Sequence, residues 1–267
     1  MTRVTAGETT VEYDPENGDV AVVAGADRLL DGRVVATSHA DSDTSLRTSV
    51  DLGATDDGAI DLILTVENTG EEPVRLDELR LLDRATTAFG PDDRVYERGY
   101  QSWSPTATLR LDEQFPPESD RARPQMVDLA APDDARTSHA VTALAGDAGT
   151  LTLGFLDHEQ YLSRFELHTD ADAGETTLTA TCPADGVTLP PGASRESATL
   201  RIDAARDVQE ALAGIADAVA ARMDARVPDS APTGWCSWYH YFTDVTADDV
   251  RENVVAIDDW GVPLDLV

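Results

Sequence analysis

From about residue 9 to residue 203, apolar side chains recur at every second position in short runs. Ile60, Leu62, Leu64 and Val66 alternate with their neighbours, and Asn68-Thr69-Gly70-Glu71-Glu72-Pro73 closes that run with turn chemistry. The alternation returns at Val20 to Val23, at Leu151, Leu153 and Phe155, at Phe165 and Leu167, and at Leu200 and Ile202. A period of two with polar partners means one buried face per strand, and many such strands predict a large antiparallel sandwich over residues 1–203.

At Ala204 the period changes. Val208, Leu212, Ile215, Val219 and Met223 stand three or four residues apart, one face of an amphipathic helix, and Pro228 and Pro232 follow it. Residues 204–232 therefore read as a linker helix and a linker. Thr233 to Phe242 is a short apolar-aromatic run suited to a buried strand. Thr246 and Asp249 sit at capping-box positions ahead of a helix striped by Val250, Val254 and Ile257. Gly261 ends that helix, and Val262 to Val267 starts a second strand. Strand, helix, strand predicts a parallel β/α unit over 233–267. One such unit cannot bury its own faces, so this segment reads as the start of an incomplete β/α barrel.

Composition narrows the partners. The chain carries 51 acidic against 20 basic residues, a formal net charge of -31, and every basic residue is arginine. A polyanion would be repelled by this surface, so nucleic acid is excluded as a partner. With 41% hydrophobic residues in regular runs, the charge does not signal disorder. Adaptation to molar salt accounts for it: self-repulsion is screened within roughly 3 Å there, and low salt is expected to destabilise the fold. No stretch is long and apolar enough to span a membrane, and the first residues lack a secretory signal's apolar core. A cytoplasmic location is expected. Cys182 and Cys236 have no metal-ligand spacing and read as reduced thiols.

Two motifs carry candidate chemistry. Gly99-Tyr100-Gln101-Ser102-Trp103-Ser104 lies in the β region, and Gly234-Trp235-Cys236-Ser237-Trp238-Tyr239-His240-Tyr241-Phe242 opens the last segment. Together, and in this order, they resemble glycoside hydrolase family 36, whose β-supersandwich precedes a catalytic β/α barrel. The resemblance implies an α-galactosidase that acts with retention on terminal α-linked galactose of oligosaccharides, with no metal and no organic cofactor. It places Trp238 and Tyr239 at the carboxyl end of the first barrel strand, lining the galactose subsite, where barrel active sites lie. Trp103 resembles a residue lent to the same subsite by a sandwich loop. Aromatic faces suit the C–H face of a sugar.

The family's paired-aspartate motif, nucleophile and acid/base aspartates match nothing in this chain, so no catalytic residue is assigned, and the chain alone is expected to be inactive. A homo-oligomer, or a catalytic half encoded separately, fits the resemblance. A relative acting on α-N-acetylgalactosamine or transferring galactose, a non-catalytic sugar-binding sandwich, and a gene remnant remain as rival readings.

Other features have plainer readings. Trp235 is taken as a packing residue. His240 would face away from Tyr239 if the segment were a strand. Asp157-His158-Glu159, and likewise Asp41 and Asp43, read as solvated turns in so acidic a chain. Asp258-Asp259-Trp260 falls at a helix end and reads as surface.

Overall fold

In the computed structural model, residues 1–38, 45–113, 135–204 and 206–267 are described. Asp41 and Asp43 lie outside the described residues. The chain divides into two compact units, Met1–Met223 and Asp224–Val267.

The first unit is built from β1 (Thr2–Ala6), β2 (Thr9–Tyr13), β3 (Asp19–Ala24), β4 (Asp27–Arg33), β5 (Val35–Ser38), β6 (Leu46–Ala54), β7 (Ile60–Asn68) and β8 (Val74–Thr87). After these come β9 (Arg94–Glu97), β10 (Ala107–Arg110), β11 (Arg136–His139), β12 (Val141–Gly146) and β13 (Gly149–Phe155). The last four are β14 (Arg164–Asp170), β15 (Glu175–Leu189), β16 (Ser194–Glu196) and β17 (Leu200–Asp203).

They form two antiparallel sheets. One runs β1-β2-β3-β4-β8-β15-β14-β11, with β5 also on β8; the other runs β10-β9-β12-β13-β17-β7-β16, with β6 also on β7. The alternating runs supply the core between them. Ile60, Leu62, Leu64 and Val66 of β7, Leu151, Leu153 and Phe155 of β13, and Leu200 and Ile202 of β17 are buried in one cluster with Val22, Leu30, Phe165 and Leu167 of the other sheet. Phe155 and Phe165 stack across the core with centroids 5.0 Å apart. The predicted mainly β sandwich is thus the observed one.

The turn after β7 rests on a buried side chain. Asn68 Nδ2 donates to the carbonyls of Glu72 at 2.8 Å and Leu189 at 3.0 Å, while Oδ1 accepts from the Gly70 N–H at 2.9 Å. All three bonds satisfy backbone groups in and beside the turn, which a solvated turn would leave to water.

Helix α1 (Val208–Arg222) belongs to the first compact unit. Its buried residues are Ala211 and Ile215, and Ile215 lies over Gly154 of β13, where an added Cβ would fall 2.7 Å from Ile215 Cγ2. So narrow an apolar contact is supplemented by ion pairs at both ends. Arg206 pairs with Asp203 and, at 3.2 Å, with Asp57; Arg222 pairs with Asp157.

The second unit holds helix α2 (Trp238–Tyr241), a 3₁₀ turn (Phe242–Asp244) and helix α3 (Ala247–Asp259). The strand expected over 233–242 is here a single parallel bridge, Gly234 to Leu266, followed by the one-turn helix α2. Its physical basis is the lack of flanking strands: a parallel strand needs neighbours for its backbone groups and cover on both faces, and no residue of α2 or α3 is buried. The capping box does form, with Thr246 Oγ1 accepting from the Asp249 N–H at 3.3 Å and Asp249 Oδ2 accepting from the Thr246 N–H at 2.8 Å.

Candidate functional site

The first motif caps a hairpin. β9 and β10 pair with Glu97 opposite Ala107, and the residues between them close on themselves. Ser104 N–H donates to the Gln101 carbonyl at 2.9 Å, Gln101 N–H to Ser104 Oγ at 3.1 Å, and Trp103 N–H to Gln101 Oε1 at 3.1 Å. Gly99 N–H donates to Thr106 Oγ1 at 3.0 Å. Gly99 has no space for a side chain: a Cβ would lie 2.5 Å from the Pro105 carbonyl oxygen and 2.5 Å from Ser104 Cβ. The turn therefore bonds four of its own N–H groups, and the Trp103 indole is 60% exposed.

Beneath it, the loop is tied to the β11–β12 corner. Arg98 N–H donates to Ser138 Oγ at 2.8 Å, His139 N–H to the Arg98 carbonyl at 2.9 Å, and the Tyr100 ring meets His139 edge-on at 5.3 Å. Glu97 and Arg136 form an ion pair at 2.6 Å. Burial raises the Glu97 carboxyl above its ordinary value, with Arg136 opposing that shift. Neither this pair nor His139 was singled out in the sequence; both lie on short strands whose polar character gives no periodic signal.

The second motif is presented differently from the expectation. Trp238 and Tyr239 occupy the one-turn helix α2, not a strand end; Trp238 is 47% exposed and Tyr239 95%. Trp238 leans on Phe242, centroids 4.5 Å apart, which covers part of its face. Successive helical residues point about 100° apart, so strand alternation does not govern His240, whose ring lies edge-on to Tyr241 at 4.7 Å. Tyr241 is fixed by a 2.8 Å bond from Asn253 Nδ2 of α3. Trp103 belongs to the first unit, Trp238 and Tyr239 to the second.

The plainer readings also meet the structure. Asp157 is not a merely solvated turn residue: Oδ2 accepts from the Thr199 N–H at 2.8 Å, and Oδ1 accepts from Arg222. Burial raises its carboxyl, but these two donors outweigh burial and hold it below the ordinary range. His158 is lowered by burial and by Arg98. Both cysteines are free, Cys182 buried and Cys236 exposed, and burial pushes the Cys182 thiol up to about 11. Among the described residues no group of three or more His, Cys, Asp or Glu side chains could hold a metal ion, and no helix is long and apolar enough to cross a membrane.

A hollow beside α1 is lined by Asp57, Arg201, Arg206, Glu210 and Asp217. Its cations are already engaged: Arg201 grips Asp61 through two bonds of 2.8 and 3.0 Å. It has the character of an ionic seam.

Three solved glycosidases are similar to this chain. One is the galactosidase domain of an α-galactosidase–sucrose kinase, at 11% identity and a TM-score of 0.48, covering 98% of this chain and 35% of that one. Another is an α-galactosidase from Lactobacillus brevis, at 9% identity and 0.46, covering 97% and 47%. A third is the ligand-free α-N-acetylgalactosaminidase from Bifidobacterium bifidum, at 9% identity and 0.47, covering 84% and 39%. The chain thus spans less than half the length of each of these solved chains. No protein-family profile matches it. Identities this low carry no residue correspondences.

Proposed function

We propose that this chain supplies the sandwich and the first aromatic wall of an α-galactosidase acting with retention on terminal α-linked galactose, with the attacking and proton-donating carboxyl groups contributed from outside it. The observation that carries the reading is the first motif's turn, a self-bonded loop with no room for a side chain at Gly99 that holds the Trp103 indole in solvent. A protein expends such rigidity on an exposed indole when a ligand is to stack on it, because a preorganised aromatic loses little entropy on binding. Trp238 and Tyr239 are the partners proposed from the second motif. A retaining glycosidase needs two carboxyl groups roughly 5–5.5 Å apart, and no pair in this chain is assigned that role.

The test is a titration of the full chain with melibiose in about 2 M KCl, where a Debye length of roughly 2 Å screens its charge. Tryptophan fluorescence is the readout. Weak binding is expected, on the order of millimolar, lost on Trp103→Ala and weakened on Trp238→Ala. No turnover of a nitrophenyl α-galactoside is expected. Turnover by this chain would place an acid/base pair within it and overturn the assignment of those groups elsewhere.

A second reading, a sugar-binding sandwich without catalysis, is favoured by one observation, the exposure of Trp103 on a compact unit of its own. It predicts that Trp103→Ala abolishes binding while Trp238→Ala leaves it unchanged.

A further inference from the structure

We infer that strand β6 is a self-complementary edge through which two copies of this chain pair into a continuous antiparallel sheet. β6 is nine residues long and pairs, among the described residues, with β7 alone. The other strands ending a sheet path, β1, β10, β11 and β16, have five residues or fewer. Its register with β7 runs unbroken from Leu46↔Asn68 to Ala54↔Ile60, without a bulge. Proteins blunt such edges with prolines, charged side chains, bulges or inward charges; β6, of sequence LRTSVDLGA, has no proline, bulge or inward charge, and its two exposed charges, Arg47 and Asp51, are of opposite sign.

The register says which backbone groups are open. Thr69 N–H donates to the Ser45 carbonyl, and Thr55 N–H to the Ala59 carbonyl, on the same pairing line. Hydrogen-bonded and non-hydrogen-bonded pairs alternate in an antiparallel ladder. Arg47, Ser49, Asp51 and Gly53 therefore spend their backbone groups on β7, while Leu46, Thr48, Val50 and Leu52 direct theirs to the open side.

A second β6 can dock there only in registers that set open residues opposite open residues. Among these, the one centred on Ser49 sets Thr48 against Val50 and Leu46 against Leu52 of the second copy, giving about eight inter-strand hydrogen bonds. It also sets Arg47 against Asp51 of the second copy, twice by symmetry, as a non-hydrogen-bonded pair where side chains approach most closely. Shifting the centre by one residue to Val50 leaves Arg47 facing Gly53. Charge thus selects one register. Asp51 makes no ion pair among the described residues, whereas Arg47 already holds Glu67 at 2.5 Å, so the second copy's Asp51 completes a three-membered row. Leu46, Val50 and Leu52 pack against the core cluster, so Leu46 beside Leu52 extends the apolar face across the seam. An isologous contact of this kind closes as a dimer. It does not depend on the sugar reading.

Each copy carries a charge of -31, so long-range repulsion opposes pairing, and screening within roughly 3 Å at about 1 M salt removes it. Light scattering of the size-fractionated full chain in about 2 M KCl is expected to give twice the monomer mass. Thr48→Pro removes an open-side N–H that β7 does not use, and should give monomers that keep the far-ultraviolet circular dichroism of the folded sandwich and whose melting temperature no longer rises with protein concentration. Asp51→Arg, and separately Arg47→Asp with Glu67→Gln, should each be monomeric alone, and should form a heterodimer when mixed, because opposite charges then face each other again. A monomeric wild type in high salt overturns the proposal. So does a dimer indifferent to all of these changes, which would be held by another surface.

Discussion

Gly99 and Trp103 are linked by steric necessity. A methyl group at Gly99 meets the Pro105 carbonyl oxygen and Ser104 Cβ inside contact distance, so Gly99→Ala must displace the turn that exposes Trp103. Overpacking of this kind costs about 1–3 kcal/mol, and near-ultraviolet circular dichroism together with a thermal melt would record both the altered indole environment and the loss of stability. Trp103→Ala, by contrast, removes a side chain already mostly in water, so its unfolding free energy should stay within about 0.5 kcal/mol of the parent's. These outcomes separate a presented indole from a packed one. The motif's residue types and spacing were readable from the chain, and the family resemblance placed Trp103 in a sandwich loop. The hydrogen bonds by which Gln101 and Ser104 stiffen that loop were not, since a local pattern does not say which side chain turns back on its own backbone.

Helix α1 shows how an element is placed by few contacts. Of the stripe read from its period, Ile215 is buried, Met223 is exposed, and Ala211 joins the contact instead. Ile215→Ala should destabilise the first unit by about 2 kcal/mol, the low end for such truncations because the helix buries only Ala211 and Ile215. A urea melt would measure it. At the helix ends, burial raises both Asp57 and Asp157, but Arg201, Arg206, Arg222 and nearby hydroxyl or backbone donors leave both below the ordinary carboxylate value. A lowered folded-state value means the stabilisation is present above the unfolded value and lost as pH falls through the folded one. Glu97, raised by burial, acts in the opposite sense, its contribution fading as pH rises through its folded value. Asp157→Asn should cost about 1 kcal/mol near neutrality, discounted because Arg222 is half exposed, and should flatten the acid limb of a stability-against-pH curve. The wild-type curve would have to show that limb.

For the molecule as a whole, charge is the dominant variable. With a net charge of -31, the chain should melt roughly 5 °C or more lower at about 0.1 M KCl than at about 2 M. A melting temperature independent of salt would remove the case for salt adaptation. Some charges cannot respond to bulk salt, however. Arg164 is buried between Glu166 at 2.8 Å and Glu78 at 3.4 Å, and breaking a buried pair by removing one partner costs several kcal/mol. Salt screening thus acts on the surface and leaves the interior network intact.

Alternation of period two dictated the sandwich, because a strand such as β7 buries one face, and that requirement is written in consecutive residues. Capping of α3 was legible for the same reason: Thr246 and Asp249 satisfy each other within four positions. Long-range pairing decided the rest. Asp157 became an anchor because the chain brings Thr199 and Arg222 to it, and the segment from Thr233 to Phe242 gave up its strand-like pattern for a bridge and a helical turn because a parallel strand is stable only when neighbours satisfy it on both sides. Local pattern specifies what a segment can form; the partners it meets determine which of those forms it keeps.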